Sequence, residues 1–177
     1  MCTAGAQAAR CVDTTKRQSL RRLNRPLGLR GLTMQTFLPL PSYKASAEVL
    51  DDKRLGKQRV ETFQIARTLA GVSAGWKNHP AVKMWRGYES SLISYGMFVC
   101  DEWIRRGFND TVLEKLNQLY LDHYAGTPLV TPAWLGDEAF HASHRSNLLR
   151  KSPDHYKAFG WSEDSDLPYI WPQGKES

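Results

Sequence analysis

The sequence predicts an all-α fold: one compact domain of about four or five helices behind a disordered amino-terminal extension. Three observations predict it. An apolar spine repeats at helical spacing between Ala81 and Trp103, capping and stop residues recur at helix-length intervals, and alternating strand patterns are nearly absent. The length of 177 residues suits one domain with a tail. Hydrophobic residues at 41% suffice for a core.

Residues 1–33 show no apolar period and hold seven basic residues against Asp13 alone. They lack the apolar segment of a secretory signal. They read as a disordered basic extension or as sequence ahead of the true start, with a transit-like peptide or a DNA-binding arm as alternatives. Patterned sequence begins at Met34, which divides the chain into 1–33 and a helical domain over 34–177.

Residues 46–70 form the first helix candidate, with a possible interruption at Gly56 and a stop at Gly71. Arg54, Lys57, Gln58, Glu61, Gln64 and Thr68 share one polar stripe, while Leu55, Val60, Phe63, Ala66 and Leu69 lie on other faces. Residues 71–80 form a loop. Ala81, Trp85, Tyr88, Leu92, Tyr95, Val99 and Trp103 then mark one long helix, stopped by Gly107. Asp110 caps a helix running through Tyr124. Thr131-Pro132 suits a cap followed by proline at a first helical position. Residues 137–151 form another helix, Ser152-Pro153 starts a short last turn, and the aromatic tail from Trp161 to Trp171 is irregular.

Several function classes drop out. No run reaches the roughly 18 apolar residues of a membrane-spanning helix. Cys2, Cys11 and Cys100 are odd in number and lack ligand spacing, which excludes a disulfide framework and a structural zinc site and suits a reducing compartment. His79, His141, His144 and His155 complete no metal-ligand set, and no phosphate-binding or dinucleotide loop is present. No cofactor is expected.

The formal charge of +6 resides wholly in residues 1–33, since residues 34–177 hold 17 charges of each sign. Within that neutral part the signs are segregated. Eight cations between Lys53 and Arg86 face only Glu61, and Arg145, Arg150, Lys151 and Lys157 face only Asp154. Such segregation can turn a basic face toward a polyanion, and double-stranded DNA is the expected partner. Arg54, Arg59, Lys77, His79, Arg86, Arg145, Lys151, Tyr156 and Lys157 are the candidate contacts.

Glu61 is a lone carboxylate beside Arg54 and Lys57, and neighbouring cations favour its charged form. It suits proton abstraction or stabilisation of a developing cation. The same spacing also suits an ordinary Lys57–Glu61 surface pair worth tenths of a kcal/mol.

Three stretches resemble one family. Asp52-Lys53-Arg54-Leu55 with Glu61, the run from His79 to Arg105-Arg106-Gly107-Phe108-Asn109, and Pro153-Asp154-His155-Tyr156-Lys157-Ala158-Phe159-Gly160 share order and spacing with the pyrimidine-dimer DNA glycosylases of the phage endonuclease V type. The resemblance implies an all-α enzyme that kinks damaged DNA, flips a base out, and cleaves in two steps through a Schiff base and β-elimination. It places Glu61 on the family's catalytic glutamate. The family's nucleophile is an α-amine exposed by removal of the initiator methionine. Here Gln35 follows Met34 and resists that removal, so the amine is the α-amine of Met34, if the chain starts there, or Lys57. Abasic-site lyase activity, a monomer, and a cytoplasmic, nucleoid-associated location are the further expectations. The alternatives are a non-catalytic DNA-binding protein, another base-processing enzyme or nuclease on this scaffold, and a helical interaction module without nucleic acid.

Overall fold

A computed structural model describes residues 34–175; the expectations for residues 1–33 lie outside these residues. Seven α-helices follow in order: α1 (Tyr43–Val49), α2 (Asp52–Leu69), α3 (Pro80–Trp85), α4 (Glu89–Arg105), α5 (Val112–His123), α6 (Glu138–Lys151) and α7 (Pro153–Tyr156), with a 3-10 turn at Lys157–Phe159. No strand occurs among the described residues. The fold is helical as expected, and the count of four or five is corrected to seven among the described residues.

The extra helices arise because two expected helices are each broken. The candidate over 46–70 divides at Leu50 and Asp51, where both backbones are extended and the Asp51 carboxylate accepts from the Arg54 amide at 3.1 Å. That cap outcompetes continuation of the helix. Gly56 is no interruption. It lies inside α2, where a Cβ would stand 2.9 Å from the Trp103 ring, so it lets α2 and α4 approach closely. The long spine divides at Arg86–Tyr88, where Gly87 adopts φ +78 and its amide donates to Glu89 at 2.8 Å. The carbonyls of Lys83 and Arg86 accept from the amides of Gly174 and Lys175 in the returning tail. The apolar period runs through this break because α3 and α4 face the same core.

Thr131-Pro132 starts no helix; residues 133–136 form a turn that leads to Asp137, whose carboxylate caps α6. Asp110 does cap α5, accepting from the Val112 and Leu113 amides at 2.7 and 2.6 Å.

Helix α4 is central, packing on α1, α2 and α5. The polar stripe of α2 turns partly inward: Gln58, Glu61 and Thr68 are buried, whereas Val60 is 41% exposed. Of these, Gln58 and Glu61 serve the non-helical segment 34–38, in which Met34, Thr36, Phe37 and Leu38 are buried.

Candidate active site around Glu61

A segment outside helices and strands does not satisfy its own backbone, so a buried one needs partners from elsewhere. Side chains supply them here. The Phe37 amide donates to Gln58 Oε1, and Gln58 Nε2 donates to the Gln35 carbonyl. Tyr95 donates to the Phe37 carbonyl at 2.7 Å, and Tyr169 to the Thr36 carbonyl at 2.8 Å. The Leu38 amide donates to His144 Nδ1 at 2.9 Å, while His141 Nδ1 lies 2.7 Å from the Leu38 carbonyl. Burial pushes both imidazoles below their ordinary range, His144 furthest, which suits neutral rings in these bonds. The Thr36 hydroxyl accepts from Trp85 Nε1 at 3.2 Å. Helices α2, α3, α4, α6 and the tail thus fix this segment residue by residue.

Its amino end lies on Glu61. The Glu61 side chain is only 7% exposed, 3.2 Å from Lys57 Nζ. Gln58 Nε2 donates to Glu61 Oε2 at 3.3 Å, and the Gln35 amide donates to the same carboxylate. Burial raises the Glu61 carboxyl above its ordinary value, and Lys57, the Gln35 amide and Lys151 pull it back only partly. The expectation that neighbouring cations set its charge state is therefore corrected: desolvation dominates.

Lys151, at the end of α6, joins this group. Its Nζ stands 6.0 Å from the Phe37 ring, and its backbone carbonyl accepts from Arg54 at 2.9 Å. Burial, then Arg150, Arg54 and Lys57, depresses its amine, and Glu61 acts in the opposite sense. Arg54, Lys57, Lys151 and Glu61 are therefore brought together, with Gln35 beside them; Met34, which precedes it, is buried in the core.

Other candidates lie elsewhere. Arg59 pairs with Asp110 and stands 4.5 Å over the Trp103 ring. Arg145 is buried, pairing with Glu138 and Glu163 and donating to the Pro39 carbonyl. Tyr156 is wholly buried; its hydroxyl donates to the Asp51 carboxylate at 2.6 Å and accepts from the Asp51 amide. As candidate contacts with DNA, Tyr156 and Arg145 are corrected: both serve the interior. Lys77, Arg86 and Lys157 are exposed. His79 caps α3, its Nδ1 accepting from the Ala81 amide at 3.1 Å, with its ring between Trp76 and Trp171.

Two of the resembling stretches meet at the α1–α2 junction. Arg106 donates to the Leu50 carbonyl at 2.7 Å and the Glu48 carbonyl at 3.0 Å, and pairs with Asp52 and Glu102. Such a cation satisfies the orphan carbonyls at a helix end. His155 Nε2 lies 3.0 Å from the Val49 carbonyl, and Tyr156 holds Asp51. These stretches set the start of α2 and thereby the helix that carries Glu61.

The arrangement is a helical domain with a buried carboxylate beside an amine, among cations and next to the first of the described residues. A family model described as pyrimidine dimer DNA glycosylase matches residues 34–115. That span runs from segment 34–38 into α5, includes Arg54, Lys57, Glu61, Lys77, His79 and Arg86, and supports the family that the sequence resembles. No curated protein and no solved structure matches the chain. No group of three or more His, Cys, Asp or Glu side chains among the described residues could hold a metal ion, and no described helix is long and apolar enough to cross a membrane.

Proposed function

We propose that this protein is a DNA glycosylase acting on pyrimidine dimers, with an associated abasic-site lyase step. The observation that carries the reading is the buried Glu61 carboxylate held against Lys57 and the Gln35 amide. A neutral amine attacks the sugar C1′, a C–N bond forms, the bond to the base breaks, and the base leaves with a proton. Opening of the sugar ring leaves an imine. Glu61 as carboxylate takes a proton from C2′, and the C3′–O bond breaks to release the strand as a phosphate terminus. Hydrolysis of the imine then frees the amine. Arg54 and Lys151 hold phosphates, and water is excluded as a base leaves the stack.

Two amines suit the attack. In a chain beginning at Met34, the α-amine stands next to the Gln35 amide that touches Glu61. An α-amine titrates at about 7.7–8.0 and an ordinary lysine at about 10.4, so the α-amine is the better nucleophile near neutral pH. Lys57 is the alternative, 3.2 Å from Glu61.

Glu61→Gln keeps shape and removes charge. It is expected to lower strand cleavage of UV-irradiated duplex at least a hundredfold while DNA affinity changes less than threefold (magnitudes about those of a lost acid–base group). A chain starting at Met34 is expected to trap covalently on abasic DNA under borohydride, and the 177-residue chain to trap weakly or through Lys57. Full cleavage by Glu61→Gln removes its catalytic role. Equal trapping by both chains when each carries Lys57→Ala removes both amines.

A further inference from the structure

Trp76 is the one residue other than glycine with a positive φ among the described residues, at +64. A bulky side chain in the left-handed region is an outlier that the surrounding structure must hold in place. The loop does hold it. The Val72 and Ser73 amides both donate to the Arg67 carbonyl, Thr68 Oγ1 donates to the Gly75 carbonyl at 3.0 Å, and the His79 amide donates to the Trp76 carbonyl at 2.8 Å. Yet the ring so fixed is 48% exposed and has no place in the core. Its ring contact is with His79, edge-on at 5.5 Å.

That contact begins a chain of rings leading inward. His79 meets Trp171 at 5.9 Å, Trp171 meets Tyr169 at 4.4 Å, and Tyr169 donates to the Thr36 carbonyl. Thr36 follows Gln35, whose amide lies on Glu61. A rigid, exposed aromatic is therefore braced through side chains against the same segment that the carboxylate grips. Lys77, exposed, stands next to it in sequence.

We propose that Trp76 enters the base stack of duplex DNA beside the lesion and holds open the gap left by an extruded base. An indole face stacks on any base, and an adjacent lysine can neutralise the flanking phosphate. The strained backbone aims the ring outward, and the turn closed by His79 keeps it from folding back. The inference rests on the glycosylase reading and adds to it the group that opens the duplex.

The test compares Trp76→Ala, Trp76→Gly and Trp76→Phe in the 177-residue chain and in one beginning at Met34. Each is assayed on one pyrimidine dimer in a fully paired duplex and on the same dimer within an unpaired bubble, with 2-aminopurine beside the lesion. Excision from paired DNA is expected to fall about ten- to hundredfold in the Ala and Gly variants. The loss is expected to shrink to within threefold on the bubble, and Phe is expected to restore most activity. The rise in 2-aminopurine fluorescence on binding should disappear in Ala and Gly. Equal excision from paired DNA by natural and Ala chains, or an equal loss on both substrates, overturns the wedge while leaving the glycosylase reading standing. Failure of the natural chains to excise a dimer from either substrate overturns that reading and the wedge with it.

Discussion

At Glu61, burial and hydrogen bonding act on the carboxyl in opposite directions, and burial prevails. A carboxyl that titrates higher in the folded chain than in the unfolded chain binds its proton more tightly when folded. It favours folding at acid pH, and that contribution disappears as the pH rises through the folded-state value. Glu61→Gln carries no charge at any pH. Its stability relative to the natural chain should therefore rise between about pH 4 and pH 7, as measured by urea unfolding at each pH. A constant difference across that range would show that ionised Glu61 costs nothing on folding. The variant expected to lose cleavage is thus expected to gain stability near neutrality, the trade found where a site is built at the expense of the fold. Spacing alone brought Glu61 and Lys57 into view, because partners four residues apart on a helix must meet. Gln58 gave no such signal. Its partners Gln35 and Phe37 lie more than twenty residues back, and only the folded chain turns it inward. Arg145 and Tyr156 were misplaced for the same reason, since Glu163 and Asp51 are local to neither.

Among the elements, α4 governs how closely its neighbours approach. At Gly96 a Cβ would stand 2.7 Å from Thr62 Cγ2 on α2 and 2.9 Å from Leu116 Cδ1 on α5. Gly96→Ala sets two effects against each other. Alanine is the better helix former by about 1 kcal/mol, whereas forcing a methyl into a filled core costs about 1–3 kcal/mol. Thr62 and Leu116 are both fully buried, so the second effect should win. The expected result is a net loss of up to about 2 kcal/mol and a Tm lower by a few degrees in a thermal melt. An unchanged or higher Tm would mean that α2 or α5 can retreat. The helical character and most helix bodies were legible from period and caps. The breaks at 50–51 and 86–88 were not, because the apolar pattern continues across each. The break at 50–51 is completed by Arg106 and Tyr156, and the one at 86–88 by the tail amides of Gly174 and Lys175, all far along the chain.

For the whole molecule, the distribution of charge matters more than its sum. Residues 34–177 are neutral, so attraction to DNA depends on which cations remain at the surface. Arg59 and Arg145 are engaged in ion pairs, whereas Lys77, Arg86, Lys151 and Lys157 are exposed. In a chain beginning at Met34, the log–log dependence of duplex affinity on salt should have a slope of about −3 to −5, each neutralised phosphate adding about −0.9. Lys151→Ala should make the slope shallower by about 1, and Arg145→Ala should leave it unchanged while lowering stability. A slope near zero would refute a DNA-binding face. An equal change in slope for both variants would refute the division between surface and structural cations.

The segment 34–38 also fixes the timing of assembly. Thr36 is bound by Tyr169, 133 residues later, and Leu38 by His141 and His144, more than a hundred residues later. At roughly 5–20 residues per second, a ribosome makes the segment on the order of ten seconds before its last partner exists. During that interval the Thr36 carbonyl and the Leu38 amide and carbonyl have only water to bind. Segment 34–38 therefore completes its bonding only after the last aromatic residues emerge, so the surroundings of the Glu61 carboxylate are finished among the final events of folding.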